Sequence, residues 1–295
     1  MKKGFTGTYT AMVTPYDSEL NIDYDAFERL LQMQIDGGVD GVVVCGSTGE
    51  AATLASKEKI SLFVKAKEYV GDRIKIIAGS GTNDTVASAN LTFLAKEQAL
   101  DGALLVAPYY NKPSQEGLYH HYKTIAENVD LPLILYNVPG RSVVNISSEV
   151  QLRLAEECEN IVSTKEASGN LEQIMEIIKN APDGFTVLAG EDSQTPAICY
   201  MGGEGVIGVI PNYLPQEFSD CVSYARQGEV NKCNDIFYSL MELMALNFIE
   251  SNPSPVKYAL SAMGKINNNL RLPLMPVQPE TEQLFQKALA KVGLV

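Results

Sequence analysis

The feature that most constrains this chain is a repeat of pattern rather than of sequence. From residue 8 onward a short apolar run is followed by an amphipathic stretch, and this unit recurs eight times, about every 25 to 30 residues. The runs predict strands over 8–14, 41–46, 75–81, 102–107, 133–138, 161–167, 186–190 and 205–210. Between them, Asp23 is placed to cap a helix carrying Phe27, Leu30, Leu31 and Ile35. Ser56 would cap one carrying Ile60, Phe63 and Val64; Ser114 precedes Leu118, Tyr122 and Ile125; Ser148 with Gln151 makes a capping-box pair. Strands alternating with helices require a parallel sheet with right-handed crossovers. Eight such units in about 220 residues predict an α/β fold of the (β/α)8 TIM-barrel type. A doubly wound open sheet is the alternative, but no G-x-G-x-x-G follows the first strand.

The pattern changes after Gly228. Val230, Cys233, Phe237, Leu240, Met241, Met244 and Phe248 recur at helical spacing, and the Met stripe reads as core packing. Asn252-Pro-Ser-Pro-Val-Lys257, a further helix, a Pro-rich turn at 272–279 and a last helix follow. No flexible linker precedes this tail. The expectation is therefore one structural domain, a catalytic barrel over 1–228 with C-terminal helices over 229–295 packed on it.

Charge and cysteines exclude several functions. Lys plus Arg is 23 and Asp plus Glu is 36, a formal charge of −13. Such a surface repels nucleic acid and anionic membrane. No apolar run approaches the roughly 20 residues of a membrane helix, and the start, Met1-Lys-Lys-Gly-Phe-Thr-Gly7, is not a signal peptide. Cys45, Cys158, Cys199, Cys221 and Cys233 are scattered and form no Cys-x-x-Cys, which fits reduced thiols in the cytoplasm. The only histidines, His120 and His121, are adjacent and so not at metal-ligand spacing; no metal site is expected from them.

One residue breaks the apolar rule. Lys165 lies inside the strand over 161–167, which leads to a helix capped by Asn170 with Gln173 at N3. Side chains alternate along a strand, so Ile161, Ser163, Lys165 and Ala167 would share one face, and Glu166 would point the other way. Burial disfavours the charged amine, and a neutral amine in a pocket attacks carbonyls to form a Schiff base. The alternative is a strand-end lysine whose tip reaches solvent.

In such barrels the active site lies at the C-terminal strand ends. There the sequence places Gly46-Ser-Thr-Gly-Glu50, Pro108-Tyr-Tyr-Asn-Lys-Pro113, Tyr136-Asn-Val-Pro-Gly-Arg141 and Gly190-Glu-Asp192. The first is a tight loop with exposed N–H groups, a plausible carboxylate cradle, but too short and without the lysine of a P-loop. Each group also has an ordinary reading. Ser47 and Thr48 would cap the next helix, Tyr109 and Tyr110 would be interface aromatics, and Arg141 would pair with a surface carboxylate. Cys45 reads as a small strand residue rather than a nucleophile. Together they form a set of one lysine, several phenols, two hydroxyls and an arginine.

Gly46-Ser-Thr-Gly-Glu50, Pro108-Tyr-Tyr-Asn111, Tyr136-Asn-Val-Pro139 and Lys165-Glu-Ala-Ser-Gly-Asn170 resemble the pyruvate-dependent class I aldolases of the dihydrodipicolinate synthase and N-acetylneuraminate lyase superfamily. The resemblance runs over nearly the whole chain, including Asn252-Pro-Ser-Pro-Val-Lys257. Arg141 and Ser114-Gln-Glu-Gly-Leu118 are similar to its synthase branch, which condenses pyruvate with aspartate semialdehyde. The resemblance implies that Lys165 forms the imine with pyruvate, with no cofactor or metal. It implies that Tyr136 moves protons through a relay of Ser47 and Tyr110, the latter from a neighbouring subunit. Thr48 would hold the pyruvate carboxylate, Gly190 and Ile207 would offer backbone contacts, and Arg141 would grip the semialdehyde carboxylate. It further implies a homo-oligomer, a tetramer built as a dimer of dimers. Insensitivity to lysine is also implied. Ser56, Lys59 and Ala87 stand where regulated members carry two histidines and a glutamate, while Asn83 and Tyr109 are retained.

Two positions depart from the usual synthase spelling. Serine stands at 47 in place of threonine, keeping the hydroxyl, and Ser142-Val143 follows Arg141 in place of Thr-Gly. Three rival functions compete. A lyase of a sialic or keto-sugar acid has a neutral sugar as its aldehyde half and no use for Arg141. A metal-dependent aldolase lacks ligands. A non-catalytic pyruvate-binding barrel has no need of Lys165, Tyr136 and Tyr110 together.

Overall fold

The described residues of the computed structural model, 4–295, form eight strands and twelve helices. The barrel half runs β1 Gly7–Ala11, α1 Tyr24–Asp36, β2 Gly41–Val44, α2 Ser56–Val70, β3 Lys75–Gly79, α3 Thr85–Glu97, β4 Gly102–Val106 and α4 Gln115–Asn128. It continues with β5 Leu133–Asn137, α5 Pro139–Ser142, α6 Ser148–Glu157, β6 Ile161–Glu166, α7 Leu171–Asn180, β7 Thr186–Ala189, α8 Thr195–Tyr200, β8 Gly205–Gly208 and α9 Pro215–Arg226. The tail holds α10 Val230–Leu246, α11 Ser254–Ala262 and α12 Pro279–Lys291. Lys2 and Lys3 of the N-terminal segment weighed above lie outside the described residues.

The strands are all parallel and close as β1 through β8, with Gly7 of β1 opposite Gly205 of β8. This is the (β/α)8 barrel, not the open sheet. Tyr9, Val43, Ile77, Leu104, Ile134, Leu188 and Ile207 fill its interior, and Phe5 plugs the lower end, its N–H donating to Ser163 Oγ at 2.9 Å. A larger apolar shell lies between strands and helices. Each strand stops short of its predicted end, because the last apolar residues leave the ladder to build the loops above it. After β2, Cys45 turns into the left-handed region at φ 61°. Gly79 at the end of β3 lets that turn approach, since a Cβ there would stand 2.2 Å from the Cys45 carbonyl oxygen.

Alternation fails at one expected position. Leu133 pairs with Ile161 but Ile134 pairs with Ser163, so Val162 is an extra residue in β6. Ile161 consequently packs in the outer shell, while Ser163 and Lys165 face inward. Caps shift by a residue in two places. Ala55 rather than Ser56 precedes α2, its N–H donating to Glu58 Oε2 at 2.8 Å. Ser147 rather than Ser148 caps α6, and Gln151 turns inward instead of closing a box. Asp23, Ser114 and Asn170 cap as expected. In α10, Met244 is core but Met241 is 46 % exposed, so the Met stripe is only half packing. Helix α10 packs against α9 and α12, and α11 lies near the end of β8. Among the described residues no helix is long and apolar enough to cross a membrane.

Candidate active site

Register sets Lys165 between Tyr136 of β5 and Leu188 of β7. Its side chain is buried, with Nζ 4.3 Å from the centroid of the Tyr136 ring. An ammonium over an aromatic face is attracted by the ring quadrupole, and this contact turns the amine toward the phenol. Glu166 points the other way, into the shell beneath α6 and α7, where it is fully buried. Its Oε1 accepts from Gln151 Nε2 at 2.6 Å, Asn137 Nδ2 at 3.0 Å and Gln173 Nε2 at 3.1 Å, and its Oε2 from Ser168 Oγ at 2.7 Å. Four neutral donors thus hold a carboxylate without a cation.

The Gly46–Glu50 loop is bounded by Cys45 at φ 61° and Glu50 at φ 56°. Left-handed non-glycine residues cost of order 1–3 kcal/mol each unless their surroundings over-determine them. The surroundings here are the tail. Buried Lys257 of α11 donates to Glu50 Oε1 at 2.6 Å and to the Thr14 carbonyl at 2.9 Å, and lies over the Tyr16 ring. Burial draws the Lys257 ammonium down to about 8, against the pull of Glu50. The Arg271 N–H donates to Glu50 Oε2 at 3.2 Å. Asn252 Nδ2 donates to Thr48 Oγ1 at 2.9 Å, so the tail fixes the loop's hydroxyl as well. Ser47 stands exposed beside it. The Cys45 thiol is pushed up to about 12 by burial, which keeps it protonated and excludes it as a nucleophile. We expect Lys257→Met to strand Glu50 as an unpaired buried charge and to cost about 3–5 kcal/mol. Denaturant unfolding reads this directly, and Lys257→Met with Glu50→Gln should recover most of it. A single variant as stable as wild type would contradict the anchoring role.

Two adjoining cavities open above the strands. The smaller, ≈ 30 Å³, is walled by Thr48, Lys165, Gly190, Glu191 and Phe248, and the larger, ≈ 350 Å³, by Tyr109, Lys59 and Glu50; both share Ser47, Tyr136, Arg141 and Asn252. Six of the eight expected site residues therefore meet in one place. Gly190 reaches it because its N–H donates to the Glu166 carbonyl at 2.6 Å, an approach a Cβ would block at 2.5 Å from Ala167 Cβ. Arg141, exposed on the short helix α5, makes no ion pair among the described residues, so the surface-pair alternative finds no partner. Ile207 packs in the barrel interior and walls neither cavity. Tyr110 is absent from both walls; it is 88 % exposed, with φ 74°, on a loop tied down by Asn111 Nδ2 donating to the Asn83 carbonyl at 2.8 Å. No hydrogen bond joins Ser47, Tyr136 and Tyr110 among the described residues.

Sequence reasoning gave no role in the site to Glu191, Asn252 or Lys257, and none to Glu50 beyond that of a carboxylate able to stand in at a lysine-binding site. The first was quoted only as a strand end, and the others sit in motifs whose contacts span about two hundred residues, as with Asn252 and Thr48, 204 apart. Burial pushes the Glu191 carboxyl up while the charges of Lys165 and Arg141 pull it down. Asp192 is pushed up to about 6 by burial although the N–H groups of Val209 and Ile210 hold it. His121 is buried against Thr85 and pulled down to about 4, and among the described residues no group of three His, Cys, Asp or Glu is arranged to hold a metal.

This geometry can be set beside known proteins. Residues 4–292 match the Dihydrodipicolinate synthetase family. The 4-hydroxy-tetrahydrodipicolinate synthase of Chlorobium phaeobacteroides is 44 % identical over 294 residues, covering 100 % of this chain and 99 % of its own. The crystal structure of dihydrodipicolinate synthase from Aquifex aeolicus superposes with a TM-score of 0.97 at 42 % identity, covering 98 % of this chain and 99 % of that one. A solved monomeric dihydrodipicolinate synthase variant gives 0.96 at 39 % identity, covering 99 % of this chain and 98 % of that one.

Proposed function

The chain belongs to the Dihydrodipicolinate synthetase family, and we infer from this and from its site that it condenses pyruvate with L-aspartate 4-semialdehyde. The product is 4-hydroxy-tetrahydrodipicolinate, on the route to diaminopimelate and lysine. One observation carries the reading: a buried lysine amine lies against a tyrosine in a cavity whose wall also holds an arginine without an ion pair among the described residues.

Lys165 attacks the keto carbon of pyruvate, water leaves, and the imine forms. The imine draws electrons from the methyl group, so one of its protons departs and an enamine remains. The enamine carbon then bonds to the aldehyde carbon, whose oxygen takes up a proton. Tyr136 is the group placed to move these protons; a phenol with a pKa near 10 needs a relay at neutral pH, for which Ser47 and a partner's Tyr110 are the candidates. Thr48, oriented by Asn252, is assigned the pyruvate carboxylate, Arg141 that of the semialdehyde, and Gly190 and Ile207 backbone contacts near the imine. No metal or cofactor enters this sequence. Buried thiols at Cys45, Cys199, Cys221 and Cys233, none of them in a disulfide, fit a reducing cytoplasm.

The test is turnover with pyruvate and aspartate semialdehyde, followed against N-acetylmannosamine. We expect activity with the semialdehyde alone, unchanged by millimolar lysine at subsaturating pyruvate. Preference for the sugar would replace the synthase by the lyase.

We further propose a tight dimer, two of which make a tetramer. A bulky residue at positive φ with its ring in solvent is what a group awaiting a neighbouring surface looks like, and Tyr110 fits that description. Because the monomeric relative keeps the same chain fold, assembly here bears on the relay and not on the barrel. Ultracentrifugation at assay concentration should find no active monomer, and Tyr110→Phe should lower kcat in a protein that still dimerises. A fully active monomer contradicts this role for Tyr110.

A further inference from the structure

We propose that Glu191 is the specificity-determining residue that receives the α-ammonium group of the aldehyde substrate, an inference resting on the function proposed above. Glu191 is the only carboxylate among the described walls of the smaller cavity, where it stands with Lys165, Arg141 and Thr48. Its side chain takes no hydrogen bond and no ion pair at contact distance among the described residues. The neighbouring acids are already occupied. Asp192 spends its oxygens on the N–H groups of Val209 and Ile210, and Glu50 spends its own on Lys257 and the Arg271 N–H. On the same wall Asn252 is buried, with Nδ2 used on Thr48 and Oδ1 without a partner, which offers a second acceptor.

The chemistry of the substrate says where its ammonium must lie. Carboxylate and ammonium share one carbon, so holding the carboxylate at Arg141 leaves the nitrogen one bond further in. The product is a ring in which that nitrogen is bonded to the carbon Lys165 had held. The nitrogen therefore sits between Arg141 and Lys165, and Glu191 is the acid that senses both of those charges. An α-amino group is largely protonated near neutral pH, and a charged hydrogen bond to a partly desolvated carboxylate is worth more than a neutral one. An aldehyde without the amine leaves the half-buried Glu191 unpaired in the complex, so the same residue disfavours such aldehydes.

The experiment compares wild type, Glu191→Gln and Glu191→Asp, each assayed for turnover of aspartate semialdehyde and for the rate at which borohydride traps pyruvate on Lys165. We expect kcat/KM for the semialdehyde to fall about 10- to 100-fold in Glu191→Gln, with Glu191→Asp recovering a large part and the trapping rate changing far less than kcat/KM in both. Unchanged semialdehyde kinetics in Glu191→Gln overturn the inference. So does a loss matched by an equal loss in trapping, which would make Glu191 a tuner of Lys165 or a structural residue. If wild type itself ignores the semialdehyde, the proposed function falls and takes the inference with it; an active wild type with an indifferent variant removes the inference alone.

Discussion

Lys165→Ala is expected to lower turnover by on the order of 10³-fold or more, since it removes the covalent electron sink and not merely a contact. Borohydride with pyruvate should add one reduced pyruvyl group to wild type at Lys165 and none to the variant, and chelators should leave turnover intact. Two other lysines make this a sharp test. Lys257 is the one that burial draws down to about 8, and a choice made on acidity alone would select it. It is, however, 2.6 Å from Glu50 and walls neither cavity. Lys59 does line the larger cavity and is also drawn down by burial, but it lies on the Tyr109 side, away from the smaller chamber. Lys165 alone combines access to the smaller chamber with an adjacent phenol. A pyruvyl adduct on Lys59 or Lys257, or activity lost to chelator, ends this mechanism. Lys165→Arg should be as inactive as alanine, because a guanidinium does not deprotonate in a protein.

The second large effect is expected at Arg141. Arg141→Ala should reduce kcat/KM for aspartate semialdehyde by on the order of 10²- to 10³-fold, roughly 2–4 kcal/mol for a lost charged hydrogen-bond pair. The trapping rate with pyruvate should barely move. Free of any ion pair among the described residues, Arg141 can give its whole guanidinium edge to a carboxylate. Arg141→Lys keeps the charge without the fork and should recover only part of the loss. If alanine at 141 leaves the semialdehyde kinetics intact, the second substrate carries no carboxylate at this position and the synthase reading is wrong.

Much of the barrel was legible because each strand buries both faces, so apolar runs and intervening helical periods mark it directly. What escaped was geometry that no local period encodes. The extra residue at Val162 turned Ile161 outward, and nothing in Ile161-Val-Ser163 announces it. Ser56 and Ser148 looked like caps, but each fell one residue inside its helix, because Ala55 and Ser147 take the extended backbone of the cap position. In the site, residues presented by strand ends were readable from their order along the chain. Those acting across the fold were not: Asn252 reaches Thr48 and Lys257 reaches Glu50 only after the tail has folded back. Tyr110 remains outside the cavity in a single chain, which is as far as one sequence taken alone can bring it.

The neutral cage around Glu166 bears on how the chain finds its frame. Lys165 and Glu166 are neighbours with opposite charge and opposite needs. Slipping β6 by one residue would carry the amine outward among three amide N–H groups and a hydroxyl now aimed at the carboxylate, and would carry the carboxylate into the barrel interior. Two buried charges would then be stranded at once, each at a cost of several kcal/mol. A misthreaded strand is thus penalised twice for a single mistake, and the same penalty that secures the fold also sets the depth of the Lys165 nitrogen. Fidelity of threading and readiness for chemistry are decided by one adjacent pair of side chains.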